Sequence, residues 1–97
     1  MIQRFCFVKL EDAEAPQRAA IAAELRAELA EAGADATVGL PADDSAARWD
    51  LAITITAASY DAWRALALTA PVLAIFEKLA RRAHVVKAWT FRESERD

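Results

Sequence analysis

His84, Cys6 and Arg4 are the side chains whose chemistry has to be weighed first. His84 is the single histidine of the chain and stands beside Arg81 and Arg82. As a general base it needs an orienting partner and a cleft, and as a metal ligand it needs a second ligand at useful spacing. Neither is visible nearby, so a solvated strand end or a helix cap is the plainer role. Cys6 is the single cysteine, set between Phe5 and Phe7. A nucleophilic thiol needs a base or a helix N-terminus to form its thiolate. Without one, Cys6 reads as a small core residue. Arg4 shares the strand phase of Ile2, Cys6 and Val8. If that phase faces the interior, its guanidinium is partly buried, which is unfavourable without a partner. Asp50 or a carboxylate ligand could supply the partner, and an exposed strand-end position is the bland alternative.

Tyr60, at a helix start, can turn its hydroxyl into a cleft, so Arg4, Asp50 and Tyr60 form the candidate ligand-binding set. No residue is assigned a catalytic role, and neither a metal nor a cofactor is expected. Trp49, Trp63 and Trp89 are many for a short chain. They could anchor a binding surface, but a small alanine-rich core needs their volume. Packing is the favoured role, at least for Trp89. Asp43 and Asp44 read as a turn rather than a cation site.

These residues are carried on a chain of 97 amino acids, enough for one domain over 1–97 with one modest core. The hydrophobic fraction of 56% is inflated by alanine, which favours helix but fills little volume. With Lys+Arg 12 against Asp+Glu 15, the net charge of −3 gives no electrostatic reason to bind nucleic acid or anionic lipid. No apolar run reaches membrane-span length. The start of the chain is too short and strand-like for a signal peptide, and one cysteine cannot form an internal disulfide, so the cytoplasm is the expected location.

The pattern predicts a strand over Ile2 to Leu10, nearly continuous in apolar residues, and a helix from about Pro16 to Ala32. Ile21, Leu25 and Leu29 form a narrow stripe on that helix, and Gly33 is suited to end it. A short strand over Ala36 to Leu40 and a loop lead to a third strand, Trp49 to Ala57. There Leu51, Ile53 and Ile55 alternate with Ala52, Thr54 and Thr56. Ser59 caps a helix over Tyr60 to Leu68, and Thr69-Ala70-Pro71 breaks it and starts another that runs to about Ala83. His84 to Phe91 is the last strand, and 92–97 reads as a charged tail.

The order is βαββαβ, an α+β fold. Right-handed crossovers put both helical segments on one face of a four-stranded antiparallel sheet. The first and last strands nevertheless carry apolar residues on both phases. A sheet face left bare with those aromatics is a large apolar patch, and pairing with a second copy is the simplest way to cover it. Which phase of these two strands faces the helices is left open by the sequence.

Five segments resemble the stress-responsive A/B barrel (Dabb) family of the dimeric α/β barrels. They are Phe7-Val8-Lys9-Leu10, Trp49-Asp50-Leu51-Ala52-Ile53, Ser59 to Trp63, the helix over Pro71 to Leu79, and the strand over Val85 to Phe91. The resemblance implies a ferredoxin-like monomer and a barrel built from two sheets. Polyketide cyclases of that family carry a first-strand histidine and a His-Pro-x-His segment. Here the corresponding positions hold Arg4 and Leu68-Thr69-Ala70-Pro71, and Ala65 stands where a tyrosine is expected. Two functions follow as expectations. The first is a homodimer of unassigned activity that holds a small apolar ligand between sheet and helices. The second is a cyclase-like or cofactor-free monooxygenase enzyme that relies on Arg4, Tyr60 and His84. An RNA-binding βαββαβ domain fits poorly, because the chain is acidic and its strands lack the required motifs.

Overall fold

A computed structural model of the chain describes residues 1–94. Strand β1 (Ile2–Leu10) leads through a short 3-10 turn at Ala15–Gln17 into helix α1 (Arg18–Glu31). Pro16 therefore sits in the 3-10 turn, and the α-helix begins after it. Strand β2 (Asp35–Gly39) and strand β3 (Leu51–Ala57) follow, then helices α2 (Tyr60–Ala67) and α3 (Ala70–Arg82), and strand β4 (Ala83–Arg92). All pairings are antiparallel, in the order β2-β3-β1-β4, with β1 and β3 central. This is the ferredoxin-like arrangement expected from the element order.

Local chemistry accounts for the boundaries. Gly33 takes φ 86, the left-handed conformation that ends α1, and the Ala34 N–H donates back to the Leu29 carbonyl at 2.9 Å. The Ser59 hydroxyl accepts from the Ala62 N–H at 3.1 Å and starts α2. The Asp43 carboxylate accepts from the Ser45 N–H and hydroxyl, so the acidic pair in the loop makes the expected turn. The charged tail expected over 92–97 is not free at its first two residues. Arg92 belongs to β4, and the Glu93 N–H donates to the Met1 carbonyl at 2.9 Å; residues 95–97 lie outside the described residues.

One core joins sheet and helices. Ile2, Cys6, Val8 and Leu10 from β1 and Leu51, Ile53 and Ile55 from β3 pack against Ile21, Leu25 and Leu29 of α1, Trp63 of α2, and Ile75 and Leu79 of α3. All helices lie on this one face. The orientation that the sequence left open is thereby decided: Arg4, Cys6 and Val8 face the helices, while Phe5 and Phe7 face away. Through the register, Phe5 stands opposite Trp89 and Gln3 opposite Phe91, so Val85, Trp89 and Phe91 also lie on the uncovered face. Trp89 is 45% exposed and belongs to no core, contrary to its expected packing role. Trp63 is the tryptophan that fills the interior.

Asp50 holds the start of β3. Its carboxylate accepts from the Leu10 N–H at 2.9 Å, lies 3.0 Å from Arg18 and 3.4 Å from Lys9, and is almost fully buried. Lys78 and Arg82 of α3 reach Glu24 and Glu28 of α1 and Glu14 before the 3-10 turn, pairs that contribute little individually at the surface. Asp50→Ala leaves a buried N–H and two cations without their acceptor. Urea unfolding should show a loss of about 3 kcal/mol, whereas exposed Asp44→Ala should stay within about 0.5 kcal/mol. Equal effects from the two substitutions would show that the Asp50 cluster is not structural.

Candidate functional site

Two features of this fold can do more than hold it together, and both arise from β1. The first is a cavity of about 240 Å³ between the sheet and the pair α2 and α3. Arg4 and Cys6 of β1 and Val86 and Ala88 of β4 form its floor. Trp63 and Ala67 of α2 and Val72, Leu73 and Phe76 of α3 form its roof. The break at Thr69, where α2 stops and α3 begins, makes this roof from two short helices rather than one. β4 is an edge strand, and the small side chain of Ala88 leaves the floor low. Val86, opposite buried Val8, and Leu73 are both exposed although they line this cavity.

Arg4 is the one charged residue lining the cavity. It donates from Nη1 to the Thr90 hydroxyl at 2.8 Å, and its guanidinium carbon lies 5.5 Å from the centre of the Trp63 ring. The cation therefore rests on an aromatic face and is steered by one hydroxyl. Cys6 is the next inward residue on the same phase. Burial pushes its thiol above the ordinary value, and the nearby Arg4 charge opposes this only in part. Cys6 is thus a protonated wall of the cavity at neutral pH and not a primed nucleophile.

The second feature is the uncovered sheet face. Phe5 and Phe91 meet edge to face with ring centres 5.7 Å apart, and Phe7 lies 5.7 Å from Trp49 and 5.8 Å from Trp89. Five aromatic rings thus form one patch, bordered by Thr54 and Thr56 of β3.

Of the three residues expected at a ligand site, the structure brings only Arg4 to the cavity. Asp50 is engaged by Lys9, Arg18 and the Leu10 N–H, and it does not line the cavity. Arg4 thus lacks the Asp50 partner considered for it. Tyr60 is exposed on a separate shallow cleft with Ser59, Met1 and Thr90, and its hydroxyl accepts from Arg64 at 3.4 Å. Thr90 borders this cleft and reaches the cavity only through the hydrogen bond its hydroxyl accepts from Arg4. His84 is the extra residue of the bulge opposite Lys9 and Leu10, exposed, and 4.0 Å from Glu11. Six residues of strand separate it from Thr90, about 20 Å. Arg4, Tyr60 and His84 therefore do not converge on one point. Among the described residues, no group of three or more His, Cys, Asp or Glu side chains could hold a metal ion. No helix among them is long and apolar enough to cross a membrane. Trp63 is one of the three tryptophans weighed between anchor and packing, whereas Phe76, Val86 and Ala88 are not singled out by the sequence, because their apolar character reads as core.

No protein-family model matches the chain, and no curated protein matches it in sequence. Solved structures do resemble it. A dimeric protein of unknown function with a ferredoxin-like fold from Bacteroides fragilis is 17% identical over 95% of each chain, with a TM-score of 0.74. A protein from Arabidopsis thaliana reaches a TM-score of 0.81 at 9% identity, covering 100% of this chain and 99% of its own. A cofactor-independent oxygenase from Streptomyces nogalater reaches 0.72 at 14% identity, covering 98% and 94%. At such identities the likeness is one of fold.

Cys6 supplies a direct check on the closed wall. Its alkylation by iodoacetamide at neutral pH should be at least about tenfold slower in the folded protein than in urea. Equal rates would place the thiol in open solvent.

Proposed function

We propose that this chain is a single-domain homodimer of the dimeric α/β barrel kind, closest in character to the Dabb domains, that binds a small apolar molecule between sheet and helices. The observation that carries the binding function is the 240 Å³ cavity, walled by apolar side chains and open beside Leu73 and Val86. A well-packed interior of this size leaves few voids larger than a water molecule. An apolar space with a charged group set in its wall has the form of a small-molecule site.

The homodimer is supported by the uncovered aromatic face. Phe91 is 55% exposed and Trp89 45%. At about 25 cal/mol per Å², covering a few hundred Å² of such surface contributes several kcal/mol to association. A second copy presents the same patch, and the Bacteroides fragilis neighbour is itself dimeric. The Dabb reading is supported by the order and spacing of the elements, while the cyclase histidines have no counterpart at Arg4 or at Leu68 to Pro71.

Two measurements check these readings. In sedimentation analysis the protein should be dimeric at micromolar concentration, and Trp89→Glu should weaken association by about a hundredfold or more without loss of helix signal. A wild-type monomer at that concentration would remove the dimer. In amide NMR spectra, the neutral probes toluene and phenol should shift Cys6, Trp63 and Ala88, and Ala88→Phe should abolish those shifts by filling the floor. Shifts confined to the aromatic face, or none at all, would remove the ligand site.

A further inference from the structure

The geometry points to a small carboxylic acid as the ligand of this cavity, with its carboxylate on Arg4 and its apolar body against Trp63 and Phe76. The inference rests on the cavity being a ligand site, and it adds the chemical class. Arg4 stands on the helix-facing phase of β1 between Ile2 and Cys6, both buried. A cation in such a place calls for an acid. Among the described residues none pairs with it. Asp50 is held by Lys9 and Arg18, while Glu14, Glu24 and Glu28 are held by Arg82 and Lys78.

The contacts Arg4 does make orient it without neutralising it. Thr90 accepts from one Nη1–H, and Trp63 lies beside the guanidinium plane. An arginine has five N–H donors in a rigid fork, so donors enough for a two-point contact are left. That fork matches a carboxylate, which a lysine at the same place would meet only as a point charge. The remaining walls are apolar and Arg4 is the one cation in them, so a single negative charge suits the site better than a doubly charged phosphate. Drug-sized ligands occupy roughly 300–1,000 Å³. The smaller space here selects a single ring or a short chain.

The test compares acids with neutral molecules of the same shape. Calorimetric titration of the 97-residue chain with phenylacetate and hexanoate should give binding at least about tenfold tighter than phenylacetamide and hexanamide. Arg4→Gln should reduce that difference to within about twofold, chiefly by weakening the acids. Arg4→Lys should fall between the two, and it serves in place of Arg4→Gln if the latter fails to fold by circular dichroism. Amides that bind wild type as tightly as the acids, with NMR shifts at Trp63 and Ala88, would overturn the acid class and leave the apolar site standing. Tighter binding of phenyl phosphate than of phenylacetate would overturn it in favour of phosphate esters. Absence of binding by acids and by the neutral probes alike would overturn both the acid class and the site itself.

Discussion

The structure turns on one mismatch: its central strand is apolar on both faces, and the chain supplies helices for one. β1 directs Ile2, Cys6, Val8 and Leu10 into the core and Phe5 and Phe7 away from it. Because side chains alternate across a strand, no shift of conformation can hide both sets behind the same layer. The helix-side set forms part of the core of the monomer. The outward set gathers Trp49, Trp89 and Phe91 into a surface that water covers poorly. The proposed dimer answers this constraint directly, since pairing two copies turns two bare faces into one interior.

The same strand explains why a cavity exists. Two short helices, α2 and α3, roof the β1 and β4 side of the sheet, with a break between them at Leu68 and Thr69. Long side chains on β4 would fill the gap below. β4 instead places Ala88 and Val86 there and directs its large rings, Trp89 and Phe91, to the other face. The edge of the sheet is thus thin where the interior needs volume and bulky where a partner can use it. Trp63 and Phe76 recover part of the packing from the helix side and leave the rest open.

Charge is distributed by the same logic. Asp50 is deeply buried and is satisfied by a backbone N–H and two cations, so it serves to fasten β1, β3 and α1 together. Arg4 is half-buried on the helix face of β1 and has a hydroxyl and an aromatic ring but no acid among the described residues. The two groups differ in whether a charged partner is supplied by those residues. On that contrast rests the proposal that Arg4 meets a ligand while Asp50 is structural.

Much of this fold was legible from periodicity. Leu51, Ile53 and Ile55 against Thr54 and Thr56 marked a strand with one buried face, and Ile21, Leu25 and Leu29 marked the buried stripe of α1, because burial in regular elements repeats with their geometry. Ser59, Gly33 and Thr69 to Pro71 marked ends, because capping is local chemistry. Those features belong to short stretches of chain, and the sequence alone determined them. What it left undecided was which of two equally apolar phases of β1 and β4 meets the helices, and Trp89 was misjudged on that account. Periodicity assigns residues to phases but not phases to sides. The side was decided by tertiary structure, where β3 has one apolar phase only and antiparallel pairing carries its orientation to β1 and from there to β4. The cavity and the separation of Arg4 from Asp50, Tyr60 and His84 were decided at the same level, because they depend on where α2 and α3 rest across strands distant in sequence.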